Sequence, residues 1–150
     1  MKRIVCTVQE HMFLPTQIQA IEKGLKEIYK KHYRDEKLRV FWLVMPKGYA
    51  YSERKLSEAS IILVEVDNDI QSKKREALMH LFSQYLLKEF KLSPLDLMLS
   101  VSNSSYMDQF MASQKNRVDP RSRGWISLKM LWTAFYSKFS QGYMKLRVKM

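Results

Sequence analysis

The 150-residue sequence contains one cysteine, four glycines and four prolines, and each shortage narrows the class of protein. The lone Cys6 cannot form an internal disulfide, which favours a cytoplasmic location. Few glycines and prolines, with 46% hydrophobic residues, indicate a globular chain rather than a disordered one. No apolar run approaches the roughly 20 residues that cross a membrane, so we expect one domain with no membrane partner.

Acidic residues are scarce near the carboxyl end. Residues 115–150 contain nine lysines and arginines against one acid, Asp119, and so carry +8 of the net charge of +11. A basic segment can attract phosphate or acidic surfaces, but it is more often a solvated face, which is the interpretation we favour. The amino terminus lacks the basic region followed by an apolar one that is typical of a signal peptide.

The apolar pattern predicts four strands and two amphipathic helices in the order β-α-β-β-α-β. The strands are expected at residues 3–8, 38–45, 60–66 and 96–101. The first helix begins at Pro15, because proline suits the first helical position, and Ser72 is a candidate cap for the second. The polar stretch "PKGYAYSERKLSE" is expected to be a loop.

The two halves of this pattern match each other at an offset of 57 residues. Ile4 then aligns with Ile61, Ile21 with Leu78, and Val44 with Val101. A constant offset across two strands and a helix indicates an internal duplication. We therefore expect a first repeat over residues 2–45, a second over 59–101, and a carboxy-terminal extension over 102–150, all in one domain.

Two right-handed βαβ units in one sheet can place both helices on the same face. The predicted fold is α+β, with two layers: a four-stranded sheet with two helices on one side, plus a carboxy-terminal helix and an edge strand. Because the strands are apolar on both faces, the bare side of the sheet must be covered by the extension, by another subunit, or by both.

The extension has its own pattern. A short helix is expected to begin near Ser104, a loop to span residues 116–124, and an alternating edge strand to end the chain over 144–150. Between the loop and the strand lies a helical stripe, formed by Leu128, Leu131, Trp132, Phe135 and Phe139. We interpret this stripe as core or subunit contact rather than the wall of a ligand site.

The duplicated βαβ units, the strand at the amino terminus and the stretch "LRVFWLVMPKGYAYSERKLSE" together resemble the tautomerase superfamily. The similarity is to 4-oxalocrotonate tautomerase and the cis-3-chloroacrylic acid dehalogenase group. It implies a homotrimer with pockets between subunits. In this family an amino-terminal proline acts as general base or acid, because an apolar pocket lowers the pKa of its amine, and arginines bind the substrate carboxylates.

At the catalytic position this chain has Lys2, and a large second residue normally leaves Met1 in place. The resemblance therefore places Met1 and Lys2 at the site of the missing proline and Tyr49 and Tyr51 as a wall. Arg39 is either the carboxylate-binding arginine or a solvated strand residue. Any remaining activity would be a tautomerase-type proton transfer. We expect a divergent or catalytically impaired member that binds a small carboxylate at a subunit interface.

Other family positions also differ here. Asn68 and Gln71 stand where dehalogenase-like members have arginines, and Tyr29 stands where they have a histidine. The three histidines of the chain show no metal-ligand spacing and no phosphate-binding glycine loop occurs, so neither a metal nor a cofactor is expected.

Two alternatives remain. The order β-α-β-β-α-β is also that of an RNA-recognition domain, "KGYAY" partly resembles the aromatic signature of that family, and the net charge is positive. The strand "SIILVEV", however, has no aromatic residue on which a base could stack. The second alternative is a structural trimer that has lost catalysis and serves an interaction.

Overall fold

The computed structural model describes residues 1–34, 36–52, 55–116 and 120–147. The strands are β1 (Lys2–Gln9), β2 (Leu38–Met45), β3 (Tyr51–Ser52), β4 (Lys55–Leu56), β5 (Ser60–Val66), β6 (Leu97–Asn103) and β7 (Met144–Arg147). The helices are α1 (Pro15–His32), α2 (Ser72–Phe90), α3 (Ser104–Asn116) and α4 (Pro120–Gln141), with a short 3-10 helix at Pro94–Asp96.

The main sheet has the strand order β6-β5-β1-β2-β7. Strand β1 is parallel to β2, β5 is parallel to β6, and β1 and β5 are antiparallel neighbours at the centre. Two βαβ units therefore lie side by side and point in opposite directions. The predicted α+β fold with β7 as an added edge strand is confirmed.

Helices α1 and α2 pack on one face of this sheet because each has an apolar stripe at helical spacing. Ile21, Leu25 and Tyr29 of α1, with Phe82 and Leu86 of α2, are almost fully buried. They meet alternate residues of the central strands, which are Ile4, Cys6, Val8, Val40, Trp42, Val44, Ile62, Val64 and Val66. Cys6 is a fully buried, reduced residue, as expected, and burial raises the pKa of its thiol.

The offset between the repeats is 57 residues in the helices and the second strands but not in the first strands. Ile4 of β1 is fully buried, whereas Ile61, which we had aligned with it, is 37% exposed on the opposite face. The buried counterpart of Ile4 is Ile62. The predicted alignment was therefore wrong by one residue in β5, because a strand that is apolar on both faces has no alternation to fix its phase.

Three local predictions also change. Ser72 is the first residue of α2 rather than its cap, since Gln71 occupies the cap position without a side-chain hydrogen bond. Helix α4 begins at Pro120, within the range predicted as a loop, because proline fits the first turn of a helix. The loop after β2 contains the two-stranded ribbon of β3 and β4.

The face of the sheet opposite α1 and α2, which we call the open face, is covered by the described residues at one corner. Helix α3 lies there, with Met107 buried and Asp108 beside Arg3. The apolar residues Phe41, Leu43, Met45 and Leu63 stay half-exposed on it, and Met98 is exposed. Part of the expected cover is therefore supplied by the extension.

Helix α4 does not lie on the open face. It packs against β7, with Ala134 and Ser137 buried, and the Lys145 amide donates to Ser137 Oγ at 2.8 Å. The predicted aromatic stripe points away from this contact and is exposed. No helix among the described residues is long and apolar enough to cross a membrane.

Candidate functional site at the amino-terminal end of the sheet

The amino terminus lies at one end of the sheet, where β1 and β2 begin. The Lys2 amide donates to the Lys37 carbonyl at 3.1 Å, which fixes the first residues in register with β2. The α-amino group of Met1 lies 3.7 Å from Glu36 Oε1, and the Met1 side chain is exposed. The terminal amine is therefore paired with a carboxylate rather than enclosed in an apolar pocket.

The Lys2 ammonium is held by two oxygen atoms. Its Nζ lies 2.7 Å from Asp67 Oδ1 and donates to Ser104 Oγ at 2.5 Å. Ser104 Oγ in turn donates to the Val66 carbonyl at 3.0 Å. Asp67 follows β5 and Ser104 begins α3, so the lysine joins the amino terminus to two later elements.

Asp67 is the centre of this cluster. Its second carboxylate oxygen lies 2.6 Å from Arg34 Nη1, and its backbone amide donates to Tyr33 Oη at 2.6 Å. The hydrogen bond from Lys2, followed by that involving Tyr33, lowers the pKa of Asp67. Burial raises the pKa of the Tyr33 hydroxyl to about 12. Asp67 is thus a stable anion and a poor proton acceptor near neutral pH.

Arg3 forms a second ion cluster on the open face. Its Nε and Nη2 donate to the two oxygens of Glu65 at 2.6 and 3.1 Å, and Nη2 also donates to Asp108 Oδ1 at 2.5 Å. Burial of Glu65 acts to raise its pKa, but the Arg3 hydrogen bonds and further donors outweigh burial, and the pKa is lowered. Both charges are used within the chain.

Arg39 lies directly beside Arg3, since the two residues are register partners on parallel β1 and β2. Unlike Arg3, Arg39 is exposed and has no ion pair among the described residues. Two guanidinium groups on neighbouring strands repel each other. Arg39 is therefore a cation that an incoming anion could neutralise.

The predicted tyrosine wall lies at the other end of the sheet. The loop after β2 is anchored to the end of β1, where the Gly48 amide donates to Gln9 Oε1 at 2.9 Å and Gln9 Nε2 donates to the Ser57 carbonyl. Tyr49 and Tyr51 are both exposed in this loop. Within one chain the structure brings Met1, Lys2 and Arg39 to one end and both tyrosines to the opposite end.

Three further family positions have structural roles. Tyr29 is fully buried and donates from its hydroxyl to the Glu65 carbonyl at 3.0 Å. The Asn68 side chain accepts from the Ser105 amide at 3.0 Å and so caps α3. Gln71 is the cap residue of α2.

A shallow depression of about 350 Å³ adjoins the Asp67 cluster. Its charged lining is balanced, with Arg34 and Lys74 on one side and Asp67 and Asp69 on the other. No group of three or more metal-ligating side chains occurs among the residues described. The depression has no excess of positive charge that would select a carboxylate.

The sequence did not reveal which acidic residues pair with the basic residues at the amino-terminal end of the sheet. Glu65, Asp67 and Asp108 lie 62, 65 and 105 positions from the basic residues they bind, so spacing alone could not pair them. A usable signal was the "VEVD" run at the end of β5, where a charged side chain at Glu65 interrupts an apolar strand. Such a side chain needs a buried partner.

Neither a family model nor a curated protein sequence matches this chain. Solved structures do match it. Native Ps01740 gives a TM-score of 0.64 at 12% identity, covering 69% of this chain and 96% of that one. The Q0 fused 4-OT symmetric trimer gives 0.60 at 10% identity, over 67% and 84%.

A third match is N1, a member of the cis-3-chloroacrylic acid dehalogenase family, with a TM-score of 0.61 at 9% identity over 67% of this chain and 73% of that one. About a third of the present chain lies outside each match. The chain therefore has the fold of the tautomerase superfamily.

Proposed function

We propose that this protein is a tautomerase-fold homotrimer that has lost amino-terminal proton transfer and binds a small carboxylate through Arg39 at a boundary between subunits. The observation that carries the proposal is the Lys2 ammonium, bound by Asp67 and Ser104. The Lys2 side chain is engaged within the chain, and it is not the terminal secondary amine that the superfamily uses as its base.

The open face supports the trimer. Half-exposed Phe41, Leu43 and Met45 line one strand of it, and apolar area of this kind is stabilised by burial at about 25 cal/mol per Å². Fused 4-OT structures among the matches are trimers. Burial of the same face here would bring Arg39 to a subunit boundary, where a guanidinium can bind a carboxylate with two parallel hydrogen bonds.

The test has three parts. The native mass should be three times 17.9 kDa or a whole multiple of that trimer mass, and ketonisation of a 2-hydroxydienoate or phenylenolpyruvate should not exceed the buffer rate. Calorimetric titration with fumarate should show binding. The Arg39→Ala variant should lose this binding, and the Arg34→Ala variant should keep it. Arg34 is the matched control because it loses the same charge but is paired with Asp67. A monomeric mass, or fumarate binding unchanged in Arg39→Ala, would refute the proposal.

A gain-of-function variant separates a lost base from a lost site. Lys2→Pro restores the residue that the superfamily uses, and removal of Met1 would expose its secondary amine. Ketonisation gained by Lys2→Pro and lost again on adding Arg39→Ala would show that the carboxylate site is intact. Ketonisation by the unmodified protein would instead show that a proton-transferring group remains.

The RNA-binding alternative loses its support in the geometry of "KGYAY". Tyr49 lies in the loop after β2 and Tyr51 lies on β3, outside the main sheet, so neither forms a stacking platform on the sheet face. The alternative then rests on the element order and the net charge. Salt-sensitive binding of single-stranded RNA by a monomer would restore it.

A further inference from the structure

Four residues of the aromatic stripe of α4, together with Trp125, have the spacing of a helix–helix seam. This seam consists of residues at intervals of three, four, three and four, which are Trp125, Leu128, Trp132, Phe135 and Phe139. This is the a/d spacing of a coiled coil, which presents one narrow apolar line to a partner helix. At 3.6 residues per turn the five side chains occupy a sector of about 80°.

No described residue of the chain covers this seam. All five side chains are between 59% and 77% exposed. The side that contacts β7 carries Ala134 and Ser137, which lie diametrically opposite the seam on the helix. Core packing, one of the two roles expected for the stripe, is therefore excluded for the described chain, and subunit contact remains.

The charges that flank the seam suit a copy of itself. In heptad terms Lys129 and Tyr136 are the e positions, and Leu131 and Lys138 are the g positions. In a parallel pair each g residue faces the next e residue of the partner, so Leu131 faces Tyr136 of the second copy. Neither lysine faces a lysine. Pairing of two basic helices therefore brings no flanking charges into direct opposition.

The area also suits association. An aromatic side chain contributes about 150–250 Å², and the four aromatic seam residues with Leu128, Leu131 and Tyr136 expose on the order of 800 Å². A stable protein interface buries about 800 Å² on each partner. Lipid would be a poorer occupant, because a surface-bound helix needs a charged outer face. Here that side is buried against β7, and Lys138 Nζ donates to the Gly142 carbonyl at 3.0 Å.

We infer that α4 forms a parallel helix–helix contact with α4 of a second copy of this chain, with Trp132 against its own counterpart. This contact is separate from the open face, because α4 lies at the β7 edge of the sheet. It assigns a role in assembly to the basic extension, about a third of the chain.

A cysteine placed on the seam tests the contact directly. Cys6 is fully buried and does not compete. Under mild oxidation Trp132→Cys should form a disulfide-linked dimer in most of the protein, because facing a positions bring the two sulfur atoms within reach. Thr133→Cys is the matched control: Thr133 is exposed on the next residue but lies off the seam, so it should stay uncrosslinked.

A charge on the seam gives a second readout. Trp132→Glu should reduce the native mass relative to Thr133→Glu, with unchanged circular dichroism, since the exposed side chain adds nothing to the fold of one chain. Leu43→Glu on the open face tests the proposed trimer independently. The inference is overturned if Trp132→Cys crosslinks no more than Thr133→Cys, or if Trp132→Glu keeps the native mass and instead abolishes binding to phosphatidylserine vesicles.

Discussion

The Lys2 ammonium lies 2.7 Å from Asp67 Oδ1, so the second residue of the chain is tied to the residue that follows β5. In the superfamily the same position supplies a reactive amine. Here it supplies a structural ion pair that joins the first strand to the centre of the second repeat.

Lys2→Met removes this ammonium but keeps an unbranched stem. Lys2 is the largest cause of the lowered pKa of Asp67, so the pKa of Asp67 should rise towards its ordinary value while Arg34 still holds it below. The pair is partly exposed, and the free energy of unfolding should fall by about 1 kcal/mol or less. Carboxyl-carbon NMR titration and urea unfolding check the two effects. A pKa of Asp67 that does not move would contradict the assigned pairing.

The Arg3–Glu65 pair should contribute more, because Glu65 is buried. Arg3→Ala leaves a buried carboxylate without its bidentate partner and should lower the free energy of unfolding by about 3 kcal/mol at pH 7. The folded pKa of Glu65 is lowered, so the stabilisation is present above its unfolded pKa and is lost as pH falls through the folded one. The loss in free energy of unfolding caused by Arg3→Ala should therefore become smaller below about pH 4.

Arg34→Ala is the control for this pH dependence, since it removes an exposed arginine from the partly exposed Asp67. Its deficit should stay below about 1 kcal/mol. Urea unfolding between pH 3 and pH 7 measures the free energy of unfolding of the unmodified protein, Arg3→Ala and Arg34→Ala. Equal deficits for the two arginines at pH 7 would show that burial of Glu65 does not control the energetics.

The buried thiol gives a probe of global unfolding. Cys6 is fully buried in the central strand and its pKa is raised by burial, so the native protein should not react with a thiol reagent. The extent of Cys6 labelling should follow the unfolding curve. At low denaturant, the labelling rate should equal the rate at which the folded chain opens. Labelling of the native protein within seconds would mean that β1 opens locally.

Much of the fold could be predicted because its elements are punctuated in the sequence. Pro15 marks the start of α1, and the apolar run that ends at Met45 marks β2. The phase of β5 could not be predicted, since Ile61, Ile62 and Leu63 are equally apolar and only the packed helices choose Ile62 for the core. Local pattern fixes where an element lies, while tertiary contact fixes which side it buries.

The candidate site was predictable only in part. Lys2 and Arg39 were identified through the resemblance, and the structure brings them to the same end. The partners of Lys2 were not identified, because Asp67 and Ser104 are distant in sequence and are brought together by the antiparallel pairing of the two repeats. A single sequence contains the charges but not the long-range pairing that neutralises them.

Gly24 of α1 lies against the Tyr85 side chain of α2, and its replacement tests the packing of these two helices. A Cβ at Gly24 would overlap the Tyr85 hydroxyl, which donates to the Ala20 carbonyl at 3.3 Å. Gly24→Ala should lower the free energy of unfolding by about 1–3 kcal/mol, because the ring must move and its hydrogen bond is lost. With Tyr85→Ala the clash disappears, and the same change should stabilise by about 1 kcal/mol through helix propensity. A double-mutant cycle in urea measures the reversal of sign, and the same sign in both backgrounds would contradict the packing of α1 on α2.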